Sequence, residues 1–222
     1  MKPTTLNQAL AAVMITMFIA LATLPGTASA DDDPWKFRFA IVSMNPTGDI
    51  FDVPETGESF SYQSNSGVGI ALDFEYRASR RLGIDFGVIS ASPGFTVTAD
   101  AEPVSVSAKS DIRVTPIYAA LNIHLIPEGR FDLYIGPLVA YVTYDRFELV
   151  AGPEMREGFS AEEGFGYGAV LGLDIGLGSG RWSIVTAIRY LKSTLEASPD
   201  DGDVGKTDLN PTIFSIGFGY RF

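Results

Sequence analysis

The segment from Gly67 to Arg77 reads GVGIALDFEYR, and every second residue in it is large and apolar. In an extended chain these side chains share one face and the small or charged ones share the other: Val68, Ile70, Leu72, Phe74 and Tyr76 against Gly67, Gly69, Ala71, Asp73, Glu75 and Arg77. Successive side chains of a β-strand alternate between two faces in this way, whereas a helix repeats every 3.6 residues. The segment therefore predicts a strand with one face in an apolar medium.

Seven more segments show the same alternation, beginning near Trp35, Leu82, Ile117, Phe131, Phe165, Trp182 and Phe214. In each segment the second face is made largely of Gly, Ala and charged residues. A soluble β-sandwich gives no reason for so many small residues on its wet face, but a narrow barrel has room inside only for small side chains. We predict an all-β fold, a transmembrane up-and-down antiparallel β-barrel of eight strands. We also expect a bulge at Pro116, where the phase of the alternation slips.

The lengths of the connections alternate in step with the strands. Three connections are short (78–81, 126–130 and 178–181) and four are long (45–66, 91–110, 146–163 and 193–211). Outer-membrane barrels have short periplasmic turns and long extracellular loops. The alternation therefore predicts a bacterial outer-membrane location, with both chain ends in the periplasm.

The first thirty residues have the pattern of a secretory signal peptide. Lys2 supplies the positive charge, residues 9–24 are mostly apolar, and Ala28-Ser29-Ala30 forms a small-x-small cleavage site. The alternative, an uncleaved anchor, is disfavoured because the apolar run is shorter than the roughly 20 residues of a spanning helix. We expect residues 1–30 to be removed and residues 31–222 to form the barrel. The chain has no Cys, so neither a disulfide nor a lipid-anchored amino terminus is expected.

The charge of the chain restricts its partners. It has 27 Asp and Glu against 16 Lys and Arg, a formal net charge of −11, so nucleic acid is not an expected partner. Much of the acid falls in the long loops, for example Asp49 and Asp52 in the first and Asp200 and Asp201 in the last. These acids are expected either to be simply solvated or to bind divalent cations that bridge to lipopolysaccharide.

Several stretches resemble the OmpW family of outer-membrane proteins. The C-terminus carries Asp208-Leu209-Asn210-Pro211 followed by Gly219-Tyr220-Arg221-Phe222; similar stretches are Thr115-Pro116, Tyr134-Ile135-Gly136-Pro137 and Ser92-Pro93-Gly94-Phe95. These lie in the order of the family over most of the chain, although the loops match poorly and Pro137 stands where members more often have a small residue. The resemblance implies an eight-stranded barrel with a narrow apolar channel that helps small hydrophobic molecules cross the outer membrane. It also implies that the outward aromatics Tyr220 and Phe222 form the signal read by the outer-membrane assembly machinery.

An enzymatic role is not expected. His124 is the only histidine, and the residue after it, Leu125, does not lead to the nearby serine of the His-x-Ser motif found in lipid A deacylases. Serine hydrolysis would also need an oxyanion hole. No cluster of metal-ligand residue types, phosphate-binding glycine loop or nucleophile elbow appears in the sequence. We therefore predict no catalytic residue, no metal and no cofactor, with His124 as a polar residue of the lumen.

The inward residues divide by height when the first strand is taken to run upward from the periplasm. The lower half carries a charged plug: Lys36, Arg38, Asp73, Glu75, Arg77, Asp85, Asp174 and Arg221. His124 and Asp132 fall at the same depth. The upper half carries a hydrophobic lining: Val42, Met44, Ile89, Tyr118, Leu138, Val142, Val170 and Leu191. Charges of both signs at one depth are expected to pair, because a buried unpaired charge is costly.

Two functions fit this arrangement. In the first, the lining forms a pocket open to the outside that binds a small apolar solute. The plug blocks its way down, so the solute leaves sideways into the bilayer. In the second, the lining residues pack against one another, the lumen is closed, and the barrel has a structural or surface role in contact with lipopolysaccharide, cations or another cell.

Overall fold

The computed structural model describes residues 33–47, 59–101, 104–127, 129–151, 155–178, 180–199 and 205–222. The predicted signal peptide, and the tips of the first and last long connections, lie outside these ranges. Within them, no helix has the length and apolarity needed to cross a membrane.

The described ranges contain thirteen strands. They are β1 (Trp35–Thr47), β2 (Ser59–Asn65), β3 (Gly67–Arg77), β4 (Leu82–Ala91), β5 (Gly94–Ala101), β6 (Val104–Asp111), β7 (Val114–His124), β8 (Phe131–Tyr144), β9 (Phe147–Ala151), β10 (Met155–Glu162), β11 (Gly164–Gly176), β12 (Trp182–Pro199) and β13 (Gly205–Arg221).

Eight of these strands close into a barrel, as predicted. Around the ring the order is β1, β3, β4, β7, β8, β11, β12 and β13, and each strand is antiparallel to both of its neighbours. The last strand pairs with the first from Lys36 opposite Arg221 to Thr47 opposite Asn210. Closure leaves no unpaired edge in the bilayer, where an unsatisfied backbone group costs several kcal/mol.

The other five strands lie in the long connections and raise the wall above the barrel. The β5–β6 hairpin continues the β4–β7 pair in the same register, and the β9–β10 hairpin continues the β8–β11 pair. The upper part of β12 pairs with β10, and β2 pairs with β5. The long connections therefore contain regular hydrogen-bonded structure, which the sequence pattern did not reveal because these stretches are too polar to alternate clearly.

The predicted bulge at Pro116 is wrong. The β7–β8 register runs from Val114 opposite Tyr144, through Pro116 opposite Val142, to Ile123 opposite Ile135 without a slip. Because proline has no N–H, it cannot donate a backbone hydrogen bond, and the β4–β7 register has no pairs at Thr115 and Pro116. No extra residue is inserted there.

A slip of one residue occurs instead near Pro93. Gly69 pairs with Ala91, but Asn65 pairs with Gly94, so four steps along one strand oppose three along the other. The extra residue lies between Asn65 and Gly69, so the wall bends where β2 passes into β3.

The alternation of the two faces is confirmed along the barrel strands. Outward apolar side chains are exposed, as at Val68 with 71% of its surface, while inward Glu75 on the same strand is fully buried at 0%. In a barrel of this size the interior is filled by side chains. The core of the protein is therefore the lumen, and the exposed apolar band is the surface that meets lipid.

Two inward glycines make room for the ring of a buried tyrosine on the neighbouring strand. Gly172 lies opposite Tyr134 in the β8–β11 register, and Gly87 lies opposite Tyr118 in the β4–β7 register. A Cβ added at either glycine would overlap the ring of its partner. Each tyrosine therefore lies across the strand beside it, which a side chain there would prevent.

We predict that Gly172→Ala destabilises the barrel, because the new methyl group overlaps a buried aromatic ring. Forcing extra carbon into a packed interior costs about 1–3 kcal/mol. Gly176→Ala is the matched control, since it lies on the same face of β11 and its Cβ would meet nothing closer than 3.6 Å. Urea unfolding of the two refolded variants in the same lipid should show a lower midpoint for the first alone; equal midpoints would refute the steric account.

Candidate functional site

The centre of the lower lumen is Arg38 of β1. Its guanidinium binds Glu75 through Nη2, and its Nη2 and Nε lie 3.0 and 3.2 Å from Oδ2 of Asp174. Lys36 Nζ donates to the same Asp174 oxygen at 2.6 Å. Asp85 stands 3.6 Å from Nη1 of Arg38, an ion pair without a hydrogen bond. One arginine thus forms ion pairs with carboxylates from three other strands.

A second arm runs from Glu75 toward the periplasm. Oε1 of Glu75 lies 2.6 Å from Nε2 of His124, and Nδ1 of His124 lies 2.7 Å from Oδ1 of Asp132. Arg77 binds the other oxygen of Asp132 and contacts Nδ1 of His124 at 2.9 Å. Both ring nitrogens of the buried His124 are therefore engaged with charged neighbours, and the residue links two carboxylates.

A separate pair lies above this network. Arg189 of β12 donates from Nη2 to Oδ2 of Asp73 at 2.9 Å and from Nη1 to the Ser215 hydroxyl at 3.0 Å. The Tyr118 hydroxyl donates to the other oxygen of Asp73. The guanidinium carbon of Arg189 also stands 5.1 Å above the Tyr118 ring, within the range of a cation–π contact.

The structure brings most of the predicted plug residues together in one buried layer: Lys36, Arg38, Asp73, Glu75, Arg77, Asp85 and Asp174. Arg221 instead lies half-buried at the periplasmic mouth, where it helps to line a cleft of about 560 Å³ below the layer. His124 and Asp132, placed at the same depth by the sequence, belong to the layer.

Sequence reasoning missed Arg189, which is only 2% exposed. It lies on the inward face of β12, and the sequence prediction included it in neither the plug nor the lining. The signal that could have found it is Asp73, an inward carboxylate otherwise without an assigned cation. Tyr118 was likewise assigned to the apolar lining, yet its hydroxyl belongs to the charged layer.

The upper lumen is apolar and tightly packed. All eight predicted lining residues are between 0 and 4% exposed and belong to one apolar cluster. Residues from the extracellular side complete that cluster, among them Ile112, Val114, Leu209 and Ile213. The cavity among Ile89, Leu138 and Leu191 has a volume of about 10 Å³, room for no more than a single water molecule.

A larger cleft opens in the wall above the barrel. It has a volume of about 360 Å³ and is lined by Asn65, Gly94, Phe95, Thr96, Ser110, Asp111 and Val150. Phe95 also belongs to the apolar cluster of the upper lumen, so the cleft borders that cluster. Beside the cleft, β6 and β9 share one residue pair, Lys109 opposite Val150. This is the shortest register among the paired strands of the described wall.

The comparisons with known proteins agree with this architecture. The model of the OmpW family matches residues 35–222, which is every strand of the barrel. The chain belongs to the OmpW family. No curated protein matches the sequence of this OmpW-family chain.

Solved structures share the fold of this OmpW-family barrel. The outer membrane protein OprG from Pseudomonas aeruginosa is 19% identical with a TM-score of 0.65, covering 85% of this chain and 95% of its own. AlkL, solved in DMPC bilayers, is 19% identical with a TM-score of 0.53, covering 89% and 94%. Neisserial surface protein A is 12% identical with a TM-score of 0.53, covering 85% and 97%.

Family membership fixes the location and the orientation of the site. The protein is an outer-membrane barrel in contact with membrane lipids, with the short turns in the periplasm and the long hairpins outside. The charged layer is therefore the periplasmic part of the lumen, and the apolar cluster and wall cleft are on the extracellular side.

We predict that Arg189→Met strongly destabilises the folded barrel, because it leaves Asp73 buried without its cation. Removing one partner of a buried pair costs about 3–5 kcal/mol. Arg113→Met is the matched control: Arg113 pairs with Asp145 at 3.7 Å, but the two side chains are 60% and 63% exposed. An exposed pair contributes about 0–1 kcal/mol.

The measurement is urea unfolding followed by tryptophan fluorescence, with Asp73→Asn added to Arg189→Met as a rescue. The double variant should recover part of the loss, since no charge is then left unpaired. Equal effects of the two single variants would show that the Asp73–Arg189 pair does not stabilise the lumen.

Proposed function

We propose that the protein is a passive conduit for small hydrophobic molecules and not an enzyme. The observation that carries the proposal is an apolar upper lumen standing on a layer of mutually paired charges. An apolar solute that reaches the upper lumen gains contacts with Val42, Met44, Leu138 and Leu191, which are all buried there. It gains nothing by going deeper, because the charges below are already paired with one another.

The charged layer therefore blocks movement of the solute toward the periplasm and leaves the barrel wall as its exit. Passing Arg38 would require the solute to separate ion pairs that join several strands, at a cost of several kcal/mol. The lipid outside the barrel is as apolar as the upper lumen, so moving outward through the wall has no such penalty. This route agrees with what the OmpW resemblance implies, a narrow channel that delivers hydrophobic molecules to the membrane.

The β6–β9 seam supports such a lateral route. Strands in the barrel are held by many residue pairs, but β6 and β9 share the single pair Lys109–Val150. Parting this seam breaks few hydrogen bonds, and the wall cleft beside it is already about 360 Å³. Phe95, between the cleft and the apolar cluster, would then move to let the solute pass.

The solute must also displace side chains in the upper lumen, since the cavity there is about 10 Å³. Exchange of one apolar contact for another is nearly neutral in energy, and Met44 can adapt to different shapes because its side chain is long and unbranched. Uptake in this proposal is a repacking of the lumen around the solute.

We also propose two partners in the cell envelope, the outer-membrane assembly machinery and lipopolysaccharide. We infer that Tyr220 and Phe222 are the assembly signal, because both are outward aromatics at the end of the closing strand and their rings lie 6.3 Å apart. Lipopolysaccharide surrounds the extracellular half of any outer-membrane barrel, and the acidic hairpins stand beside it.

A structural barrel with a closed lumen is the second candidate. The tight packing of the upper lumen favours it, because a cavity of about 10 Å³ admits no organic solute without movement. In that case the outer hairpins would carry the function through contacts with lipopolysaccharide, cations or another cell. The two candidates differ in whether the β6–β9 seam has to open.

We predict that a disulfide across the seam blocks uptake. The chain has no Cys, so Lys109→Cys with Val150→Cys introduces a single crosslink between paired residues. Thr98→Cys with Ser107→Cys is the matched control, a register pair within the β5–β6 hairpin. The measurement is the transfer rate of a radiolabelled medium-chain hydrocarbon into cells that carry each variant, before and after reduction.

Oxidation should slow transfer in the seam variant, reduction should restore it, and the control should be unaffected. Transfer that is above the barrel-free background and insensitive to the seam crosslink would eliminate the lateral route. Transfer at background level in the wild type would favour the structural barrel.

A further inference from the structure

The periplasmic end of the barrel carries a rim of basic residues. Arginine occurs in all three short turns and beside the C-terminus: Arg80, Arg81, Arg130, Arg181 and Arg221. The chain as a whole has a net charge of −11, so this clustering opposes the overall balance. Among the described acids at this end, Asp33 pairs with Arg181 at 3.1 Å and the half-buried Asp132 binds Arg77.

The rim lies where the apolar surface of the barrel ends. Three apolar side chains within the turns themselves are exposed: Leu125, Ile126 and Leu177. Exposed apolar groups in a turn of a membrane protein place that turn at the lipid boundary and not in free solvent. The arginines of the same turns therefore stand at the level of the lipid head groups.

The sequence repeats one arrangement at this level. Arg81 precedes Leu82, Arg130 precedes Phe131, and Arg181 precedes Trp182, so a cation comes immediately before the first outward apolar residue of the three rising strands that follow a short turn. Trp182 is 54% exposed and packs against Tyr220 with the rings tilted and their centroids 4.9 Å apart. Aromatic rings beside cations are typical of the interface between bilayer and water.

We propose that this arginine rim binds anionic phospholipid head groups of the periplasmic leaflet. A guanidinium presents a planar fork of N–H donors that matches phosphate oxygens. Arg130 uses Nε to bond the Gly176 carbonyl at 3.1 Å, which holds its exposed guanidinium at the rim. The Arg181 side chain is 55% exposed in spite of its bond to Asp33.

A lipid fits these observations better than a soluble periplasmic anion does. The arginines of three separate turns form a ring around the barrel and not one compact patch. Each stands next to an exposed apolar residue that an acyl chain would cover. A head group bound at the rim would therefore bring its own chains onto Leu82, Phe131 or Trp182, joining charge pairing to apolar contact in one ligand.

Tryptophan fluorescence tests the proposal directly, because the two tryptophans of the chain, Trp35 and Trp182, are both at this end. The full barrel is refolded into vesicles of phosphatidylcholine and phosphatidylglycerol in which one or the other lipid carries brominated chains. Quenching then reports which lipid occupies the surface beside the rim. We expect phosphatidylglycerol to be preferred by roughly fivefold, the effect of about one arginine–phosphate contact.

The rim variant combines Arg80→Gln, Arg81→Gln, Arg130→Gln and Arg181→Gln. Its control removes the same number of charges from the outer end, through Arg113→Gln, Arg146→Gln, Arg156→Gln and Lys192→Gln. The preference for phosphatidylglycerol over phosphatidylcholine should fall to a ratio near one in the rim variant and persist in the control. In the wild type the ratio should decrease in high salt, because salt screens the charge pairing.

Equal quenching by the two lipids in the wild type would overturn the proposal and leave the rim to a soluble anionic partner. So would a preference that survives in the rim variant. Retained heat-dependent mobility on electrophoresis shows that each variant is folded, so a loss of preference cannot be a loss of the barrel.

Discussion

The ion pairs that cross the lumen are the interaction on which the rest of the structure depends. Arg38 on β1 binds Asp174 on β11, and Arg189 on β12 binds Asp73 on β3, so each pair joins strands three places apart around the ring. A slip of one residue in any of these strands would turn its charge toward lipid. The pairs thus close the lumen and select the one strand register in which every charge has a partner.

Small residues and tyrosines make these pairs geometrically feasible. Gly172 and Gly87 make room for the rings of Tyr134 and Tyr118, and each ring faces a guanidinium, Arg38 or Arg189, at 5.1 Å. Tyr118 also bonds Asp73 and touches the apolar cluster above. Tyr118 therefore lies between the charged layer and the apolar cluster, and the lumen is amphipathic along its axis.

Much of this architecture follows from the sequence, because the two-residue period of a strand assigns a face to every side chain. Lys36, Glu75 and Asp174 were placed in the plug from phase and depth alone. The alternation along one strand does not give the register between strands, and the register decides which charged side chains meet. For that reason Arg189 was missed and Tyr118 was assigned to the lining, and a proline that merely lacks an N–H was taken for a bulge. The hairpins above the barrel were not foreseen because their residues are too polar to alternate clearly.

Closure of the lumen by the charged layer is tested most directly by single-cysteine accessibility, since the chain has no cysteine of its own. Ala71→Cys and Ala120→Cys place a thiol on inward positions that are 1% and 4% exposed, and Ser79→Cys places one in a periplasmic turn. With a charged, water-soluble thiol reagent added from either side, Ser79→Cys should react fully while the two lumen thiols stay unmodified. Reaction of the lumen thiols as fast as Ser79→Cys would mean that water fills the barrel, and the account would be wrong.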